Sequence, residues 1–279
     1  HYLSAFKEFC NWLVRDGHTP SNPVAYLQAL NAQTDVRRQR RALSAEEFEA
    51  LVAAAADGPS VQKMTGPDRE MLYVLAAWTG YRRQELASLT RSSFKLNSNP
   101  PKVTVTAAYS KRRRQDVVPL HPEVARRLKS WLATKKDLAS GQPVFDLLTP
   151  SGGLRRTSKM MMVDLERARE AWIKEAEKNK KERKRREESD FLTYQDENGM
   201  YADFHANRHT FISNLAKSGV SPKVAQTLAR HSDINLTMNV YSHVQMEEQA
   251  AAAAALAPPP KLNNGAAKKG QKRRTADSK

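Results

Sequence analysis

Between Phe94 and Leu120 the apolar pattern switches from helical spacing to alternation. Val103 and Val105 alternate with polar neighbours, and Asp116-Val-Val-Pro-Leu120 follows as a second short run. Ser110-Lys-Arg-Arg-Arg-Gln115 between them reads as a basic hairpin turn. On both sides of this stretch apolar residues return to the spacing of amphipathic helices. The expected class is therefore mainly α with a small antiparallel β-sheet, an α+β fold.

The helical stretches can be placed by their starts and stops. Tyr2, Phe6, Phe9 and Leu13 share one helix face, and Asp16-Gly17 ends that helix. Ser21-Asn-Pro23 predicts a second helix, since Pro is accepted in a first turn. Residues 33–43 are polar and basic and read as a linker. Ser44-Ala-Glu-Glu47 is a capping-box pattern that opens a new domain. Pro67 starts a helix that Gly80 breaks, with a short helix resuming around Arg83–Leu89. Further helices are expected over 122–133, 157–177, 205–217, 221–229 and 235–248. The charged run 174–189 has mixed signs at helical spacing and predicts a solvated helix extension. The Ala-Pro stretch from 249 leads into a Lys-rich tail, expected to be disordered.

Composition narrows the partner. Forty-six Lys and Arg against thirty Asp and Glu give a formal charge of +16. Such a balance predicts a polyanion, most simply nucleic acid. The single cysteine, Cys10, excludes an internal disulfide and fits a reducing cytoplasm. No apolar run has membrane length and no signal peptide is visible, so no membrane partner is expected. The first residue is His1, and the opening helix reads as the middle of a helical unit, as expected of a fragment.

Six residues suggest chemistry on a phosphodiester. Arg82 and Arg208 each offer paired donors to anionic phosphate oxygens and stay charged at any relevant pH. Tyr241 is a candidate nucleophile, although a phenol with a pKa of about 10 needs cations or a base beside it. His205 lies three residues before Arg208 on the same helix face and can take that proton. His231 can donate to a phosphate oxygen, and Lys111 in the basic turn can protonate a leaving alkoxide. Taken singly, each is more simply a surface charge, a packed ring or a nonspecific phosphate contact. Their joint occurrence favours function.

These segments resemble the tyrosine recombinase, or phage integrase, family. Thr79-Gly80-Tyr81-Arg82-Arg-Gln-Glu85-Leu is similar to its first box, and His205-Ala-Asn-Arg208-His209-Thr210 to its second. Ala-Arg-His231-Ser-Asp followed by Tyr241-Ser-His243 is similar to the closing histidine and nucleophile segment. Ser110-Lys111 ahead of Val-Val-Pro119-Leu resembles the strand-turn-strand that carries the family's lysine. There are departures: Asn207 stands where Leu is usual, Arg230 where Gly is usual, and 174–189 is a long insertion.

The resemblance implies residues 1–32 as the end of a helical core-binding domain, 33–43 as the linker and 44–248 as the catalytic domain. It implies a site-specific recombinase on double-stranded DNA that uses no metal, nucleotide or other cofactor. Tyr241 would form a 3′-phosphotyrosyl link and release a 5′-hydroxyl. Arg82, Arg208 and His231 would hold the phosphate, His205 would assist proton transfer, and Lys111 would protonate the leaving oxygen. Glu85 would support Arg82, and Arg112, Arg113 and Arg114 would contact DNA. The departure Arg230 is expected to contact a DNA phosphate or to alter the field beside His231. Four protomers on two DNA sites are expected during recombination, a monomer when free, in the bacterial cytoplasm on the nucleoid. Two alternatives share much of this pattern: a topoisomerase that reseals the same strand, and a DNA-binding protein without catalysis. A metal hydrolase using His205, His209 and His231 fits less well, because Ala206 stands where a zinc-protease motif needs Glu.

Overall fold

The computed structural model describes residues 2–28, 38–108 and 115–241. Ten helices and three short strands occur among them. The first helix, α1 (Tyr2–Arg15), ends as expected before Gly17, whose φ of 77° only glycine adopts freely. Its aromatic face is open to solvent. Tyr2 is 94% exposed, while Phe6, Phe9 and Trp12 stack on one another rather than on a core. The helix expected after Ser21 is not present over 21–28. Residues 23–26 form only a turn, held by the Asn22 carboxamide accepting from the Val24 amide. Tyr26 there is 79% exposed. A single turn whose Tyr26 and Leu27 stay exposed buries too little to offset the cost of helix nucleation.

The linker expectation changes where it can be seen. Residues 38–41 are docked along the loop that precedes the second box: the Tyr201 amide donates to Gln39, and the Arg41 amide donates to Tyr201. Arg41 then forks onto Glu47 at 2.8 Å through both terminal nitrogens. Ser44 and Glu47 complete the capping box that opens α2 (Ala45–Ala56).

The core is built from α2, α3 (Gly66–Thr79), α5 (Pro122–Thr134), α6 (Thr157–Glu175) and one face of the sheet. Leu51, Leu72, Leu75, Leu128 and Leu165 are all fully buried there. Each such side chain stabilises the fold by about 1.5–3 kcal/mol. Inside this core Arg69 of α3 forks onto Asp164 of α6 at 2.8 Å, and Tyr73 donates to the same carboxylate. The short helix α4 is Arg83–Ala87, ending earlier than expected. The sheet is β1 (Phe94–Lys95), β2 (Lys102–Val105) and β3 (Asp116–Pro119), antiparallel throughout in the order β1-β2-β3. Val103 and Val105 face inward, as their alternation predicts.

The charged run does not simply extend α6. That helix stops at Glu175, and α7 (Lys180–Glu187) starts anew behind an Asn179 cap. Arg186 folds back over the Trp172 ring at 4.8 Å, and Arg169 donates to the Phe191 and Glu187 carbonyls, so α7 is pinned against α6. Last come α8 (Ala206–Lys217), α9 (Pro222–Ala229) and α10 (Asn235–Tyr241). They share a smaller apolar cluster of Phe211, Ile212 and Ala229, with Leu228, Val240 and Tyr241 at its margin. Among the described residues no helix is long and apolar enough to cross a membrane.

Candidate active site

The site is organised by a turn. Helix α3 ends at Gly80 in the left-handed conformation, φ 59°. A Cβ there would lie 2.6 Å from Cδ1 of Phe211, so both conformation and space require glycine. This turn leaves the Gly80 carbonyl directed at two guanidiniums. Arg208 donates to it through Nη1 and to the Ala229 carbonyl through Nη2. Arg230 donates to the same Gly80 oxygen from Nη2 at 3.1 Å.

Two residues on, Arg82 precedes α4 with its side chain 27% exposed. Its amide donates to Glu85 at 2.8 Å and its Nη1 to the other carboxylate oxygen at 3.1 Å. Glu85 is buried and also receives Nη2 of Arg230 at 3.2 Å. One carboxylate therefore faces three guanidiniums. The cost is visible in Arg208: burial first, then the charges of Arg82 and Arg230, push its pKa down to about 9, with Glu85 opposing. Arg208 remains protonated at neutral pH, and the cluster keeps an excess of positive charge that an arriving anion would relieve.

Two histidines complete the polar rim. The His231 Nδ1 shares a 2.9 Å hydrogen bond with the hydroxyl of buried Thr237. With the hydroxyl donating, the ring proton sits on Nε2, free for a ligand. Burial, then the charges of Arg208 and Arg82, lower the His231 pKa to about 4. His205 stands at the start of α8, its amide donating to Asp203 at 2.9 Å. Desolvation by the surrounding protein comes first, then the charges of Arg40, His209 and Arg208, and its pKa also falls to about 4. Its ring still keeps an open face to solvent. A cleft of about 370 Å³ is lined by Arg40, Arg83, Ser158, Asp203, His205 and Arg208, among others. A larger cleft of about 600 Å³ lies elsewhere, walled by Phe48, Val52, Val74 and Trp78, and touches none of the candidate residues.

Arg82, Glu85, Arg208, Arg230 and His231 are thus brought together, with His205 beside them. Tyr241 is not. Its hydroxyl donates to the Val220 carbonyl at 2.7 Å, and its ring packs at the margin of the smaller apolar cluster. Val220 and Ala229 flank opposite ends of α9, roughly 12 Å at 1.5 Å per residue. The phenol is therefore parked at the far end of α9 from the carbonyl that Arg208 holds. Its burial raises its pKa, the opposite of what a nucleophile needs.

Lys111, Arg112, Arg113 and Arg114 lie outside the described residues. Arg230, expected to contact DNA, is turned inward in this structure. Its backbone is left-handed, φ 56°, its side chain is buried, and its Cζ lies 4.3 Å from the Tyr81 ring centroid. A non-glycine residue held in that conformation costs about 1 kcal/mol, which its inward bonds offset. Asn207, the other departure, is fully buried, its amide nitrogen donating to the Phe204 carbonyl at 3.0 Å.

Sequence reasoning missed Arg40 and Asp203. Arg40 Nε donates to both oxygens of Asp203, at 2.9 and 3.1 Å, so a linker residue is tied to the residue that caps His205. An Asp two residues ahead of a helix start is a usable signal for the cap. Nothing local marks Arg40 out within its basic run.

Known proteins share this chain's sequence pattern and its fold. Residues 41–248 match the family model described as the phage integrase family. The tyrosine recombinase XerC of Xylella fastidiosa (strain M23) is 28% identical over 245 residues, covering 88% of this chain and 69% of the relative. XerC of Xanthomonas axonopodis pv. citri (strain 306) is 25% identical over 247 residues, covering 88% and 67%. The Tn1549 transposon integrase in complex with circular intermediate DNA shares the fold, with a TM-score of 0.53 at 20% identity over 91% of this chain and 86% of that one. XerA recombinase does so with a TM-score of 0.51 at 16% identity, covering 91% and 83%.

Proposed function

Since the chain belongs to the phage integrase family and is a site-specific DNA recombinase, we propose that Tyr241 is the residue through which it cuts and rejoins DNA. The Tyr241 oxygen attacks the scissile phosphorus, the bond to the 5′-oxygen breaks, and a 3′-phosphotyrosyl link forms. His205 takes the phenol proton, and Lys111 protonates the departing 5′-oxygen to give a 5′-hydroxyl. Arg82, Arg208 and His231 hold the non-bridging oxygens, where preorganised positive charge acts on the transition state. Glu85 keeps Arg82 aimed. A 5′-hydroxyl from a partner strand then reverses the step.

The observation that carries this reading is the excess of guanidinium over carboxylate around Gly80, with a neutral histidine beside it. A neutral or cationic ligand would gain nothing from that cluster, whereas a phosphodiester relieves its self-repulsion. Because Tyr241 rests against Val220, cleavage requires α10 to move the phenol toward the arginines. The working assembly is four protomers on two duplexes in the bacterial cytoplasm, each protomer using residues 44–248 for chemistry and 1–32 with the linker to grip DNA.

The test is covalent capture. The protein is mixed with duplexes carrying a phosphorothiolate trap, in the presence of a chelator, and run on a denaturing gel. A protein–DNA band is expected from the wild type and none from Tyr241→Phe, with equal DNA affinity for both. A band that survives Tyr241→Phe would overturn the nucleophile assignment.

A further inference from the structure

We propose that Arg230 is a positioning residue for strand cleavage: from inside the protein it holds Glu85 and the Thr79–Gly80 turn, and through them sets Arg82 and Arg208 at the phosphate. The role rests on the functional reading above and adds a residue to it that acts through its neighbours.

The geometry is specific. Arg230 is 3% exposed, and both terminal nitrogens of its guanidinium are turned into the protein. Its Nη1 donates to the Thr79 carbonyl at 3.1 Å, and its Nη2 to Gly80 at 3.1 Å and Glu85 at 3.2 Å. Apart from a local bond to Leu228, its hydrogen bonds all fall on the first box, which lies far away in sequence. The Tyr81 ring, stacked against the guanidinium, comes from the same turn.

Glu85 explains why such a clamp matters. Buried beside Arg82 alone, its carboxylate would draw that guanidinium inward as its sole neutralising partner. Arg230 supplies a second counter-charge from below. One oxygen of Glu85 accepts the Arg82 amide and Arg230, which leaves only Nη1 of Arg82 engaged by the other oxygen. The remaining donors of Arg82 stay available outward. At the same time the Gly80 carbonyl is shared by Arg230 and Arg208, so the two guanidiniums fix each other's acceptor. A lysine cannot reproduce this, because a point charge does not reach a carboxylate and two carbonyls as a planar fork does.

Three variants separate this role from others: Arg230→Gly, which suits the left-handed backbone; Arg230→Lys, which keeps the charge; and Arg230→Gly with Glu85→Gln, which removes the stranded carboxylate. Each is followed by thermal melting, DNA affinity and the single-turnover rate of covalent capture from pH 3.5 to 9. Arg230→Gly is expected to melt cooperatively, to bind DNA within about twofold of wild type, and to form adduct on the order of 100-fold more slowly. Arg230→Lys recovers part of that rate, as does the double variant. With one cation fewer near His231, the acid limb of the rate profile moves to higher pH in Arg230→Gly. A purely structural residue would show no rescue of the rate by Glu85→Gln.

Wild-type rates in Arg230→Gly, or in Arg230→Lys if the glycine variant does not fold, would overturn the role. So would a loss of DNA affinity that matches the loss of rate, the signature of a DNA contact. A wild-type chain with no Tyr241-dependent adduct would instead sink the functional reading, and this role with it.

Discussion

At the scale of single residues, the two histidines of the site have a measurable signature. Folding lowers the pKa of His231 from an ordinary 6.5 to about 4. The unfolded chain therefore binds more protons than the folded one between those values. Stability from this residue is complete above pH 6.5 and is lost as pH falls toward 4. His205, lowered from 6.5 to about 4 as well, acts in the same direction, with its open face tempering the effect. The stability gap between wild type and His231→Gln is expected to narrow between pH 6.5 and 4.5 in urea unfolding. A gap that holds steady across that range would contradict the buried neutral ring. Much of the site was legible at this scale. Arg82, Glu85, Arg208 and His231 sit in short segments whose residue types already imply phosphate chemistry, and the structure gathers them. The role of Arg230 was not legible. It depends on one left-handed backbone angle and on partners far away in the chain, and neither leaves a local mark.

Among the elements, the close approach of α3 and α8 at Gly80 gives a second expectation. Gly80→Ala meets both a positive φ and the Phe211 ring, whereas Gly219→Ala, at φ 70°, meets open space. The Gly219 variant is expected to lose about 1 kcal/mol. The Gly80 variant should lose roughly 2–3 kcal/mol and cut poorly, because its carbonyl organises two arginines. Equal losses in chemical denaturation would show that the ring contact is unimportant. Helix starts were read well because caps and first-turn prolines are local features of the chain. Ser44 with Glu47, Pro67, Pro122 and Ser221-Pro222 all open helices. Elements whose existence depends on packing were read less well. The apolar residues Val24, Tyr26 and Leu27 after Ser21 find no core to pack against among the described residues, and the charged run breaks at 176–179 because Arg186 gains more from the Trp172 ring and Glu175 than from a straight helix in water.

Across the whole molecule, the Arg69–Asp164 pair joins the two long helices beneath the site without touching it. Both side chains are fully enclosed, so Asp164→Ala strands a buried guanidinium and should cost about 3–5 kcal/mol, read from the urea midpoint. Adduct formation at low temperature should persist in that variant, because its first effect is on stability. Loss of cleavage in a fully folded Asp164→Ala protein would mean that the core transmits to the chemistry. The α+β class itself was legible from one alternating stretch between helical ones. The resting place of Tyr241 was not, since the same phenol at the end of α10 satisfies the pattern whether it faces a phosphate or the Val220 carbonyl. That resting place bears on the safety of the host genome. Every copy of a DNA-breaking protein that drifts outside a recombination event is a hazard to the chromosome it brushes against. With Tyr241 as the proposed nucleophile and its phenol held by Val220, such encounters end as harmless binding. Accidental breakage is then governed by how often the last helix lets go, and not by how often the protein lands on DNA.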